Sequence, residues 1–207
     1  MQINLPLIFT LWLWVALEIG LILRDRERGM GSTASDRGTR VLLVATIVGA
    51  IAAAQLLAAV LDIPALRMPG SDTIGWQLTA GLAVMWIGLL LRVWAIVILG
   101  SAFRTTVEVH AGQEIVDKGP YRWIRHPSYT GLLLLVAGFG LTQGNWISFA
   151  VTVLAPWAVI ARRVRVEEEV LLASMGSAYA AYQRRSKRLI PGIWLITRAS
   201  GPCRPTD

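Results

Sequence analysis

Two stretches of this chain carry side chains able to do chemistry. The first, GPYRWIRHPSYTG at residues 119–131, places two arginines, a histidine, two prolines and three aromatic rings directly before the uncharged run LLLLVAGFGL. Basic and aromatic residues anchor chains at the lipid–water boundary, but the prolines ask for more. Each fixes its own φ and pushes the preceding residue away from helical geometry, so Pro120 and Pro127 hold this doorway in a bent, defined shape. The second stretch, residues 161–188, contains Arg163 and Glu167, four apart and on one helix face. Alone, these two read as a surface ion pair, His126 as an interfacial histidine, and Tyr121 and Tyr129 as part of an aromatic belt. Together, proline-bent aromatics, a histidine, threonines and a helix with Arg and Glu suit a small-molecule pocket, apolar with a few directed polar groups.

The elements that must position these groups belong to a membrane. Of the 207 residues 55% are hydrophobic and only 16% charged, with a mean hydropathy of +0.55. Residues 5–23, 41–61 and 76–99 are long apolar runs, broken only by Glu18 in the first and Arg92 in the third. Each has roughly the 20 residues that cross a bilayer. Residues 129–160 have no ionisable side chain but would rise roughly 48 Å as one helix, too long for a core of about 30 Å. Gln143-Gly144-Asn145 at the midpoint reads as a turn, giving a tight helical hairpin. The expected fold is therefore an all-α integral membrane protein with five transmembrane helices, the last two a hairpin. A polar loop over 100–128 and a C-terminal amphipathic helix over 161–188 complete it. One membrane domain is the simplest division: a three-helix part at 1–99, a core at 100–191 and a tail at 192–207. Glu18 and Arg92 are expected to face protein or water, each a candidate partner for the other.

Arginines in short loops resist translocation. Residues 24–40 hold Arg24, Arg26, Arg28, Arg37 and Arg40, whereas 62–75 hold only Arg67. This places the N-terminus outside, with residues 100–128 and the C-terminus cytoplasmic. The formal charge of +7 and pI near 10.5 are explained by topology and anionic lipid, with no nucleic acid as partner. Cys203 is the only cysteine, so an intrachain disulfide or a cysteine-based metal site is excluded.

QEIVDKGPYRWIRHPSYTG (113–131) and RVRVEEEVLLASMGSAYAAYQRRSKRLIP (163–191), in that order around an uncharged hairpin, resemble the isoprenylcysteine carboxyl methyltransferase family and its phospholipid methyltransferase relatives. The resemblance covers residues 100–191 and implies S-adenosyl-L-methionine as methyl donor and a lipophilic or prenylated acceptor reached from the bilayer. It implies donor contacts at Gln113, Glu114, Ile115, Val116, Tyr121, His126, Pro127, Ser128, Tyr129 and Glu167, with no metal. Arg163 corresponds to the arginine that holds the acceptor carboxylate; Arg163 and Glu167 are the expected catalytic pair. Gln113 stands where family members often have a histidine. Phospholipid N-methylation, thiol S-methylation and a non-enzymatic scaffold binding anionic lipid are the alternatives.

Overall fold

The computed structural model describes residues 4–27, 39–60, 63–70, 75–100 and 115–189, and the regular structure among them is helical. In chain order the helices are α1 (Leu5–Glu27), α2 (Thr39–Val60), α3 (Trp76–Leu99), α4 (Pro127–Thr142), α5 (Trp146–Met175) and α6 (Ser177–Arg185). Short 3-10 turns lie at Pro64–Leu66 and Gly119–Arg122. By length and composition α1, α2, α3 and α5 can cross a membrane. α4 is apolar but has 16 residues, a rise of about 24 Å, short of a hydrocarbon core of about 30 Å. The expected fifth span is thus a shorter helix, packed against α3 and α5.

The hairpin turn forms where expected. Gly144 takes φ 63°, a left-handed conformation that suits glycine. Asn145 caps α5, its Oδ1 accepting from the backbone N–H groups of Ile147 (2.9 Å) and Ser148 (3.3 Å). The expected amphipathic stretch over 161–188 is helical, but in two parts rather than as one helix of its own. Residues 161–175 continue α5 without a break, because neither glycine nor proline interrupts them and charge changes a helix's surroundings, not its backbone. The break comes at Gly176, with φ 54°, after which α6 runs for nine residues.

α3 and α4 approach most closely, through glycines. A Cβ on Gly88 would lie 2.5 Å from the Gly131 carbonyl oxygen, and one on Gly131 would lie 2.6 Å from the Gly88 carbonyl oxygen. Gly81 and Gly138 repeat this relation seven residues along each helix, at 2.7 and 2.5 Å. Small residues let helix backbones meet where lipid supplies no hydrophobic drive. Around this seam Met85, Leu89, Leu132, Leu135, Val136 and Phe139 form the core, joined by Ile160 and Val164 of α5 and Leu43 and Ile47 of α2. The Ser148 hydroxyl donates to the Ala54 carbonyl at 3.0 Å, tying α5 to α2. The outward faces of α1 and α2 are apolar, with Trp12 and Val41 among the exposed residues.

The two intramembrane charges pair. Arg92 Nε and Nη2 donate to Glu18 Oε1 and Oε2 at 2.7 and 2.9 Å, a two-point grip between α3 and α1. Arg92 Nη1 reaches the other way, to the Ser128 hydroxyl at 2.8 Å and the Ser128 carbonyl at 3.1 Å. The first turn of α4 is thereby tied to α3 and α1.

After α6 the chain straps back across the doorway. Lys187 N–H donates to the Trp123 carbonyl (2.9 Å), Arg125 N–H to the Lys187 carbonyl (2.7 Å) and His126 N–H to the Arg188 carbonyl (3.2 Å). The Tyr182 hydroxyl donates to the Tyr121 carbonyl at 2.6 Å, and the Thr130 hydroxyl to the Leu189 carbonyl at 2.6 Å. In their described parts, the two polar segments fold over one another.

Two outcomes follow from this packing. Gly88→Ala forces the α3–α4 seam apart and should destabilise the protein by about 1–3 kcal/mol. Gly20→Ala, where an added Cβ meets nothing within 4 Å, should instead be neutral or stabilising by up to about 1 kcal/mol; thermal unfolding in detergent followed by tryptophan fluorescence compares them. Burial also pushes the Tyr182 phenol up to about 12. The neutral phenol is the folded form, so its contribution is intact below the ordinary value near 10 and lost as pH rises toward 12. The difference in alkaline phenolate absorbance between wild type and Tyr182→Phe should have its midpoint near pH 12, not 10.

Candidate active site

The prolines act as their chemistry requires. Pro120 is the second residue of the 3-10 turn that Gly119, with φ 55°, begins. Pro127 is the first residue of α4, where the missing N–H would have had no intrahelical partner. His126 is left as the N-cap residue with φ −123° and ψ 58°, its carbonyl accepting from Tyr129 and Thr130 N–H, both at 3.1 Å. This geometry brings the imidazole against α5. Pro156, Ile160, Arg163, Val164 and Glu168 form the buried face of α5, so its register carries two charged side chains inward.

Arg163 is 2% exposed, and its Nε donates to the Tyr129 hydroxyl at 2.7 Å. The Tyr129 ring stacks on His126, with centroids 5.9 Å apart and planes inclined by 28°. One turn beyond Arg163, Glu167 Oε2 is buried and accepts no hydrogen bond; His126 Nδ1 stands 3.9 Å from it. Burial, and then the negative charge of Glu167, hold the Tyr121 phenol well above its ordinary value, so it stays protonated. Four of the expected residues, His126, Tyr129, Arg163 and Glu167, therefore meet in one place, with Tyr121 within electrostatic reach.

Other expected residues stand differently. Pro127 is fully buried beneath the site, and the Ser128 hydroxyl is engaged by Arg92. Ile115 and Val116 are half-buried on an irregular stretch. Gln113 and Glu114 lie outside the described residues.

Glu168, one of three adjacent glutamates, is the further charged group of the site. Its carboxylate is 4% exposed and takes Arg125 Nε on Oε1 at 2.8 Å, His126 Nε2 on Oε1 at 3.3 Å and Arg188 Nε on Oε2 at 2.8 Å. Arg125 also donates to the Gln183 and Ser186 carbonyls, closing the strap after α6 onto the doorway. In the sequence, the one signal that singles out Glu168 is periodic: Ile160, Val164 and Glu168 recur every four residues on a helix, whereas Glu167 lies at the edge of that face.

Residues 81–173 match the sequence model of the isoprenylcysteine carboxyl methyltransferase (ICMT) family. A protein-S-isoprenylcysteine O-methyltransferase of Tribolium castaneum is 34% identical over 127 residues, 60% of this chain and 45% of that protein. Protein-S-isoprenylcysteine O-methyltransferase B of Arabidopsis thaliana is 28% identical over 159 residues, 75% of this chain and 81% of that protein. The fold is similar to that of the solved eukaryotic intramembrane Ras methyltransferase ICMT, with TM-score 0.61 and 31% identity over 70% of this chain and 52% of that one. The chain thus spans about half the length of the beetle relative and of the solved structure. Four membrane-length apolar helices among the described residues and this likeness make it a multi-pass membrane protein. Through residues 81–173 and the helices that frame them, the chain is thus similar to the isoprenylcysteine carboxyl methyltransferase family.

Proposed function

We propose that this chain is a methyltransferase working within the membrane, moving a methyl group from S-adenosyl-L-methionine to the carboxylate of an isoprenylcysteine-like acceptor. The observation that carries the reading is the buried Arg163, oriented by Tyr129 and one turn from the unsatisfied Glu167 Oε2. A carboxylate ionises near pH 4, so the acceptor needs no general base. What it needs is alignment and removal of water. Arg163 is the residue for this: its planar fork matches a carboxylate in two bonds, and its burial excludes the solvent that would compete. The donor supplies an electrophilic methyl group on a sulfonium. Residues present here suit such a molecule, because the lone acceptor of Glu167 calls for a hydrogen-bond donor and the His126–Tyr129 pair offers ring faces beside it. Glu167 would hold the donor's polar end, while Tyr129 keeps Arg163 from turning away. A phospholipid amine would instead need a base and would gain little from Arg163. The arginine distribution supports an N-terminus outside and both polar segments, with this site, on the cytoplasmic side.

Purified protein in lipid nanodiscs, given labelled donor and separately a farnesylated cysteine, phosphatidylethanolamine or a lipophilic thiol, should methylate the first. Labelling of either of the others alone would overturn the acceptor assignment. Arg163→Lys keeps the charge but loses the planar grip, so turnover should fall on the order of 100-fold with donor affinity retained. Glu167→Gln should weaken donor binding on the order of tenfold. Near wild-type kinetics in both variants would return the pair to a structural role. For orientation, the sole cysteine, Cys203, should react with a membrane-impermeant maleimide only after intact cells are permeabilised.

A further inference from the structure

The geometry around His126 points to a residue that sets how this site meets its ligand. We propose that Glu168 is the positioning residue of the site: it fixes the tautomer of His126, so that His126 Nδ1 and Glu167 Oε2 together present two acceptors to a ligand group rich in hydrogen-bond donors.

Glu168 lies between the guanidinium groups of Arg125 and Arg188, with its own side chain 4% exposed. A carboxylate so placed is ionised and can only accept. His126 Nε2, 3.3 Å from Glu168 Oε1, must therefore carry the hydrogen. In a neutral imidazole the second nitrogen then holds a lone pair. That nitrogen, Nδ1, faces Glu167 Oε2 across 3.9 Å, beyond hydrogen-bond range. This accounts for the unsatisfied oxygen: two acceptors look at one another, and neither can serve the other. A group with several N–H or O–H hydrogens, such as an ammonium or a pair of neighbouring hydroxyls, satisfies both. Glu168 can impose this because its neighbours are themselves held by other contacts. Arg125 is anchored to two carbonyls beyond α6, and the ring is stacked on Tyr129. The acceptor pair is a feature of the folded chain; only the identity of its ligand as the methyl donor rests on the function proposed above.

The test uses whole protein labelled with nitrogen-15 histidine. The chain has two histidines, so His110→Gln leaves His126 as the only signal. Wild type in this background should show one tautomer, protonated at Nε2. Glu168→Asp keeps the charge between Arg125 and Arg188 but withdraws it from the ring by one methylene. It should fold with nearly unchanged thermal stability, give a mixture of tautomers, and bind S-adenosyl-L-methionine on the order of tenfold more weakly by calorimetry. Glu168→Gln should mix the tautomers too where it folds. A ring protonated at Nδ1 in wild type, or a single unchanged tautomer in Glu168→Asp, would overturn the proposal, as would a loss of stability in that variant with donor affinity intact. If wild type shows the expected tautomer but binds no S-adenosyl-L-methionine, the positioning role stands and the methyl-donor reading fails.

Discussion

The contact between the backbones of α3 and α4 is the constraint on which the site rests. Gly81 and Gly88 meet Gly138 and Gly131 at distances that admit no side chain, so the register of the two helices is set to within a residue. A slip along this seam would bring a Cβ against a carbonyl oxygen. With the register set, Arg92, one turn beyond Gly88, falls beside Ser128, three residues before Gly131, and both hydrogen bonds to Ser128 follow. Ser128 lies between Pro127 and Tyr129, so the place where α4 begins is tied to α3 and α1 through Arg92.

Arg92 can do this only because its charge is compensated. An isolated guanidinium in a low-dielectric bundle is expensive, and removing one partner from a buried pair costs about 3–5 kcal/mol. Glu18 supplies a two-point partner, itself held by the Trp14 indole N–H at 3.1 Å. The pair also fastens α1, whose outward face is apolar, to α3 and the start of α4. Here the ion pair gives register and attachment rather than net stability, which packed apolar residues could supply as well.

How much of this could be read from the sequence depended on whether a residue's own chemistry left it a choice. Charges in apolar runs must find partners, so Glu18 and Arg92 were readable as a pair. Gly144-Asn145 could hardly be anything but a turn, and Pro127 had to open a helix. Where the local pattern permitted two outcomes, reading stopped short. The apolar and polar periodicity runs on through Gly176, so the break between α5 and α6 depends on one glycine's φ, not on the pattern. Glu167, Glu168 and Glu169 are chemically identical, and only the packing of Ile160 and Val164 decides that Glu168 is the one buried. The heptad spacing of the four α3–α4 glycines is present in the sequence, but a glycine seam takes on meaning only when the partner helix is known.

The continuity of α5 bears on catalysis by alignment. Arg163 and Glu167 are separated by a rise of about 6 Å on one rigid helix, and His126 and Tyr129 by about 4.5 Å across the first turn of another. In the function proposed above, the groups that would hold acceptor and donor thus sit on helices, whose internal spacing is set by the helix backbone. A reaction that needs no proton transfer and depends on bringing a nucleophile into line behind a leaving group draws its rate from such placement. Had α5 ended at the membrane surface, with a separate amphipathic helix beyond it, Arg163 would stand close to a hinge and its distance from the core would be free to vary. Because one helix instead carries Ile160 and Val164 in the core and Arg163 and Glu168 in the candidate site, the packing that holds the bundle together also sets where these two charged side chains stand.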